Sequence, residues 1–191
     1  MNPVSHLLIG WVTANTCDLN RRERAAVTIA AVIPDLDGLG MIAETATKNT
    51  AHPLLWWSQY HHVLGHNVLF AVACTCAAFA LTGRRWRTAA LACLSFHLHL
   101  LGDIVGARGP DGDQWPIPYL WPFSDAWQLT WNGQWALNAW PNMLITGTAL
   151  AVTFYLARAR GFSPLEMVST RADAVFVNAL RRRFPVGMEK K

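Results

Sequence analysis

The sequence predicts an all-α fold: a helical bundle interrupted by one long, irregular loop rich in Trp and Pro. Apolar stretches of helical length recur along the chain, separated by short polar or Pro-containing segments. Hydrophobic residues make up 52% of the 191 residues and charged residues only 15%, whereas about 25% charged is usual in soluble domains. We expect a single helical domain over residues 1–160, followed by an amphipathic C-terminal helix and basic tail over residues 161–191.

The N-terminal third of the chain predicts two helices. The first should begin at Pro3, because Asn2 is a favourable N-cap and proline is favoured at the first helical position. The second should cover residues 20–33 and end there, since Pro34 disfavours a helical conformation in the residue before it. Residues 38–57 are expected to be less regular.

Two long apolar segments form the centre of the predicted bundle. They cover residues 67–83 and 88–106, and the short polar sequence "RRWR" joins them. Short links between helices give antiparallel neighbours, so these segments should form a helical hairpin. Residues 107–141 are rich in Gly, Pro and Trp and should form an ordered, packed loop. A further apolar helix is expected over residues 143–157, and the C-terminal helix should begin at Ser163.

The charge distribution indicates a membrane protein. Arginines fall in short clusters beside apolar segments, which is typical of a cytoplasmic membrane boundary. The apolar segments are about 15 to 18 residues long, near or below the roughly 20 that span a bilayer. They fit either short, tilted transmembrane helices or the core of a compact bundle. We expect association with the bacterial inner membrane and with its lipid, and we expect no nucleic-acid partner, since no basic face carries regularly interleaved aromatics.

The hairpin predicts where buried polar groups meet. About eighteen residues separate His66 from the "RRWR" turn and nearly as many lead back to Asp103, so at about 1.5 Å per residue the two arms match in length. His66 should therefore lie beside His99 and Asp103, which are four residues apart on one helix face. His97 points elsewhere and is expected to be a core histidine. The His99/Asp103 pair alone is equally compatible with a structural hydrogen bond.

Further imidazoles and carboxylates cluster at the ends of the apolar helices. They are His6, Asp35, Asp37, His61, His62 and His66. Imidazole and carboxylate ligands suit Zn, Mn or Fe. Helical spacing favours His62 together with His66, whereas His61 would have to lie in a loop, for which Gly65 supplies a break. Turn and helix-cap chemistry is the alternative interpretation of the two aspartates.

The order of these motifs resembles a known family. An early "HLL", "PDLD", H-x4-H, H-x3-D and a later "WPFS" are similar to the bacterial and archaeal family of membrane-bound metal-dependent hydrolases. That family is distantly similar to the zinc-dependent phospholipase C and nuclease group, which is all-α. The resemblance implies a phospholipase C/nuclease-like bundle. It also implies metal ligands at His6, Asp35, His61, His66, His99 and Asp103.

The chain departs from the family pattern at two points. The family usually has Arg-Gly after the first histidine of H-x4-H and a small hydroxyl residue before the second, and here those positions are His62, Val63 and Gly65. The phospholipase C group continues with further histidines, whereas this chain has none after His99. One or two metal ions are therefore expected.

The leading functional hypothesis is metal-assisted hydrolysis of a phosphoester in a lipid-like or small-molecule substrate. One or two divalent ions, Zn first and Mn or Fe as alternatives, would lower the pKa of a bound water, and Asp35 or Asp37 would take its proton as general base. Arg108 would meet a substrate anion or stay solvated. Four loop aromatics would form either a pocket wall or part of the core: Trp115, Tyr119, Trp121 and Phe123.

Two other classes of function stay open. The first is a non-catalytic integral membrane protein with a structural or regulatory metal, in which protein groups would fill every ligand position. The second is haem or quinone binding between helices through His66 and His99, which the acidic "PDLD" sequence disfavours. The sequence does not identify the substrate.

Overall fold

The computed structural model describes residues 1–109 and 112–185, and this part of the chain is all-α, as predicted. Its helices are α1 (Pro3–Ala14), α2 (Arg21–Ala30), α3 (Gly40–Thr47), α4 (Trp56–Tyr60), α5 (Val68–Leu81), α6 (Trp86–Gly106), α7 (Trp140–Arg160) and α8 (Thr170–Arg183). Two 3₁₀ segments, Ile33–Leu39 and Pro164–Met167, lie between α2 and α3 and between α7 and α8. The only β-type pairings among the described residues are two isolated bridges.

The first two helices begin where their caps predict. The Asn2 side chain accepts a hydrogen bond from the backbone N–H of Ser5, and Pro3 opens α1. Asn20 caps α2 and forms a reciprocal capping box with Glu23. The predicted end of α2 was late, since the helix stops at Ala30 and a 3₁₀ segment carries the chain through Pro34.

Helices α5 and α6 form the predicted hairpin. The turn between them places Gly83 and Arg84 in the left-handed region, at φ of 73° and 62°. The buried core beside the hairpin contains Ala71 of α5, Phe96 of α6 and Ile117 of the long loop. Because Ile117 is fully buried, the loop is part of the packed core and not a loose connection.

The long loop is held at two places. Ile117 and Leu129 exchange backbone hydrogen bonds across an antiparallel bridge, and Arg108 forms a parallel bridge with Ala136. These pairings explain why a segment without helices stays ordered, as the aromatic content predicted. They also bring the loop back to the start of α7.

Two boundaries differ from the sequence prediction. Residues 40–47 form a short helix where irregular structure was expected. None of its residues is buried, and its apolar residues Met41 and Ile42 are exposed, so it has no buried face. The C-terminal helix does not begin at Ser163. Ser163 caps the 3₁₀ segment instead and hydrogen-bonds to Asp173, and a second cap at Ser169 starts α8.

Helix α6 is the one described helix that is long and apolar enough to cross a membrane by length and composition. Half of its apolar window is buried within the protein, so the same helix also serves as core. A second candidate exists if α2 and residues 33–47, bent by 51°, are taken as one broken span. Large apolar side chains are also exposed along three helices: Leu69, Val72 and Leu81 of α5, Leu94 and Leu101 of α6, and Met143, Leu144 and Tyr155 of α7.

Candidate metal centre

The hairpin brings His66 beside His99 and Asp103, as the matched arm lengths predicted. The Nε2 atoms of His66 and His99 lie 3.1 Å apart. The Oδ2 atom of Asp103 lies 3.0 Å from His99 Nε2 and 3.4 Å from His66 Nε2. All three side chains are buried, at 1% exposure or less. Three electron-pair donors therefore converge on one point.

Asp35 supplies a fourth donor from the 3₁₀ segment after α2. Its Oδ1 atom lies 3.7 Å from His99 Nε2, and the four ligand atoms all lie within 4.8 Å of one another. Ligands at about 2.0–2.2 Å from a tetrahedral zinc ion are about 3.3–3.6 Å apart. The measured separations of 3.0 to 3.7 Å therefore match the space that a small divalent cation needs. The group can hold a metal ion.

Each imidazole donates its Nδ1 hydrogen to an acceptor on the side of the ring that faces away from the centre. His99 Nδ1 lies 2.8 Å from the backbone oxygen of Ala31, and because a carbonyl only accepts, Nδ1 must carry the proton. His66 Nδ1 donates in the same way to Asp37 Oδ2 at 3.0 Å. In the neutral rings, both Nε2 lone pairs then face each other and the Asp103 carboxylate. Such a set of acceptors needs a positive charge at its centre.

The raised pKa of His66 also indicates that the centre favours a positive charge. Burial opposes a charge on this ring, but hydrogen bonds with Asp103 and Asp37 outweigh it and raise the pKa of His66 to about 9. A proton on His66 Nε2 thus supplies the positive charge when no metal ion is bound. A divalent cation would displace that proton.

Asp37 orients the site instead of facing its centre. Its carboxylate accepts hydrogen bonds from His61 Nδ1 at 2.9 Å, from His66 Nδ1 at 3.0 Å and from the Gly65 N–H at 3.0 Å. Gly65 permits this approach, because a Cβ atom there would lie 2.2 Å from the Pro34 oxygen. A carboxylate bound to the outer nitrogen of a metal-binding histidine fixes its tautomer and ring orientation. This arrangement favours a positioning role for Asp37 over the predicted role as base.

His6 reaches the site through the other oxygen of Asp103. Its Nε2 atom lies 3.1 Å from Asp103 Oδ1, and its ring centroid is 3.8 Å from that of His99. The amino group of Met1 also contacts Asp103 Oδ1. His6 therefore adjoins the four-residue group but is not part of it.

Neither His61 nor His62 belongs to the group of four. Residues 61–67 are not helical, so the spacing argument that paired His62 with His66 does not apply. His61 stacks on Trp57 with ring centroids 3.8 Å apart and bonds to Asp37. His62 has a left-handed backbone, with φ of 66°, and its Nε2 lies 4.0 Å from Asp103 Oδ2. Burial lowers the pKa of His62 to about 3, so this ring is neutral.

An open cleft adjoins the buried group. It has a volume of about 350 Å³. Its lining residues are Trp57, Ser58, His61, His62, Trp115 and Pro116. The Trp57 and Trp115 rings meet edge to face at 5.8 Å. The cleft therefore adjoins the centre through His61 and His62, whose side chains contact Asp37 and approach Asp103.

The remaining predicted residues differ in their surroundings. Trp115 lines the cleft, whereas the Tyr119 hydroxyl bonds to His97 Nε2 at 2.8 Å. His97 also lies 2.8 Å from the Cys93 oxygen, so its prediction as a core histidine is confirmed. Trp121 is half-buried, and Phe123 is exposed.

Sequence reasoning missed two contributors to the site. The Ala31 oxygen is a backbone atom with no residue signature, and its signal is the helix end before Pro34, where carbonyls lose their intrahelical partners. Trp57 lies in a stretch expected to be irregular, and nothing in its spacing marked it as the stacking partner of His61.

A family model described as YdjM inner membrane protein matches residues 1–178, which is nearly the whole chain. No curated protein and no solved structure matches.

Proposed function

Because the chain belongs to the YdjM inner membrane protein family, we propose that it is an inner-membrane metalloenzyme that hydrolyses phosphoester bonds. The observation that carries this proposal is the convergence of His66, His99 and Asp103, with both imidazole Nδ1 hydrogens committed to outer acceptors. Such an arrangement satisfies its own charges only with a cation at its centre.

Zinc is the ion that the donor set suits best. Two imidazoles and two carboxylates without a thiolate are ligands for Zn, Mn or Fe. The donor atoms lie within 4.8 Å of one another, close enough to surround a single small divalent ion, and zinc is the ion of this proposal. A divalent ion bound here supplies a Lewis acid for the phosphoryl oxygen and lowers the pKa of water at the site.

Asp35 is the general base in this proposal, in which His66, His99 and Asp103 would hold the ion and leave its fourth position to water. Its Oδ1 faces His99, whereas its Oδ2 is buried and has no hydrogen-bond partner among the described residues. Its side chain is 16% exposed, more than any other member of the group. A carboxylate with one free oxygen beside the centre can take a proton from water. Asp37 holds His66 and acts as a positioning residue.

A phosphoester is the substrate class that the surroundings favour. The cleft beside the centre is lined by indole and imidazole rings and contains no lysine or arginine. The metal is therefore the positive charge that the cleft can offer to an anionic group. The two indole rings of the lining can also contact an apolar part of such a substrate.

A non-catalytic metal site is the second candidate, and burial favours it. His66, His99 and Asp103 are at most 1% exposed. The Met1 amino group and His6 crowd the remaining oxygen of Asp103. A structural site closes every ligand position with protein, whereas a catalytic site keeps one open for water.

Metal analysis of the purified full-length chain tests the shared part of both candidates. Wild-type protein should contain stoichiometric zinc, and Asp103→Asn should lose it, because the carboxylate contacts both imidazoles. His97→Gln is the matched control on the same helix and should keep its metal. Wild-type protein without a stoichiometric divalent metal contradicts both candidates.

Activity separates the two candidates. Wild-type protein should hydrolyse a generic phosphodiester such as bis(4-nitrophenyl) phosphate, and Asp35→Asn should lose turnover by about a hundred-fold or more, since general-base catalysis contributes about that much. Metal-loaded protein that hydrolyses no phosphomonoester, phosphodiester or phospholipid, yet unfolds at lower temperature after chelation, supports the non-catalytic candidate.

A further inference from the structure

Arg108 is a half-buried cation without a carboxylate partner among the described residues. Its backbone is fixed by a bridge to Ala136 and by a hydrogen bond to the Trp135 oxygen. One terminal nitrogen donates to the Asn132 oxygen at 2.9 Å, while the Nε atom is buried and makes no hydrogen bond in the described part of the chain. Within residues 1–109 and 112–185 this guanidinium has no carboxylate partner, and a bound anion would supply its counter-charge.

A cavity of about 850 Å³ opens beside Arg108, between the long loop and the start of α7. Its walls are mostly apolar and include Leu137, Met143 and Gly147. A Cβ atom added at Gly147 would meet nothing within 4 Å, so this part of α7 faces open space. Binding sites for small ligands are typically about 300–1,000 Å³, apolar, and equipped with few polar groups.

The outer surface next to the cavity is also apolar. Met143 lines the cavity and is 65% exposed, and its neighbour Leu144 is 60% exposed. In a protein of an inner membrane family, an exposed apolar surface of this kind suits contact with acyl chains. The ligand that fits both the guanidinium and this surface is an anion with an apolar tail.

We propose that this cavity binds an anionic phospholipid, with its phosphate at Arg108 and an acyl chain along Met143 and Gly147. A planar guanidinium matches phosphate geometry through paired N–H donors. Asn2 also lines the cavity, and the adjacent Met1 contacts Asp103, so the lipid lies next to the metal centre. Binding of this lipid requires neither a metal ion nor hydrolysis and goes beyond the proposed function.

The test is a lipid titration of the full-length chain in detergent with EDTA present, followed by native mass spectrometry. The probe is dihexanoyl-phosphatidylglycerol. Wild-type protein should retain a single lipid, and Arg108→Gln should weaken retention about tenfold, since a hydrogen bond to a charged group is worth about that factor. Arg22→Gln, on an exposed arginine of α2, is the matched control and should bind as wild type.

A second variant separates a lipid site from a simple anion site. Gly147→Leu places a larger apolar side chain in the cavity wall, where an added Cβ meets nothing within 4 Å, and should abolish lipid retention. Inorganic phosphate in large excess should fail to displace the lipid from wild-type protein. Unchanged lipid affinity in either variant overturns the proposal. Displacement by inorganic phosphate at concentrations equal to the lipid's also overturns it, because the site would then recognise only the anion.

Discussion

Two buried clusters of charged groups lie at opposite ends of α2, and they satisfy their charges differently. Near its start, Arg24 donates to both carboxylate oxygens of Glu166 at 2.7 and 2.9 Å and also contacts the Leu19 oxygen. The Phe162 ring lies 3.6 Å from the guanidinium carbon. Beyond its end, Asp35, Asp103 and two imidazoles face one another with acceptor atoms alone.

The comparison distinguishes charged groups that stabilise the fold from charged groups that can bind an ion. The pair of Arg24 and Glu166 contains its own counter-ion and joins α2 to the C-terminal segment. In the cluster around Asp103 the Met1 amino group contacts Oδ1, but Oδ2 has no hydrogen-bond partner among the described residues and faces both imidazole Nε2 atoms, so this side needs a proton or a metal ion. Burial alone does not identify a functional site; the balance of donors and acceptors within the buried group does.

The largest expected effect comes from removing the carboxylate that neutralises Arg24. Glu166→Gln leaves Arg24 buried without a counter-charge and should lower the free energy of unfolding by about 3 kcal/mol or more. Thermal unfolding in detergent, followed by circular dichroism, measures the loss. Metal content should not change, because Glu166 takes no part in the other cluster.

Glu44→Gln is the control for this variant. Glu44 is half-buried and bonds only to Ser58 near the surface, so the unfolding temperature of this variant should stay close to that of wild type. A Glu166→Gln protein as stable as this control would contradict the structural role of the ion pair.

A smaller effect is expected from substitution of Asp37, whose carboxylate accepts hydrogen bonds from His61 and His66. Asp37→Asn keeps the shape of the side chain but weakens its hold on His66, and metal affinity should fall by about ten- to a hundred-fold. Competition with a chelator of known affinity measures this change. Asp18→Asn, an exposed carboxylate, should bind metal as wild type does. Complete loss of metal in Asp37→Asn would instead indicate that Asp37 is itself a ligand.

The smallest expected effect is the change in metal affinity with each unit of pH. The pKa of His66 is raised to about 9, so below that pH the metal must displace a proton from this ring. Metal affinity should therefore rise about tenfold per pH unit between about pH 7 and 9 and level off above. Calorimetric titrations in buffers of different ionisation enthalpy measure the released proton. An affinity independent of pH over this range would show that the metal does not bind through His66.

Local pattern predicted much of the site, and the reason lies in helix geometry. His99 and Asp103 are four residues apart, which fixes them on one face of α6 wherever the helix packs. Equal arm lengths then placed His66 opposite them. The helical-spacing argument that favoured His62 over His61 does not apply, because residues 61–67 are not helical.

The sequence by itself determined the helical bundle, its central hairpin and the meeting of three donors, since these follow from apolar periodicity, short links and helix rise. Only the tertiary structure decided that Asp35 joins them, that Asp37 holds His66 and that the Ala31 oxygen holds His99. These contacts come from the segment around Pro34 packing against α6, and they fix which ring nitrogens keep their hydrogens. Which ring nitrogen carries the hydrogen depends on partners that are remote in the sequence, so residue spacing does not predict it.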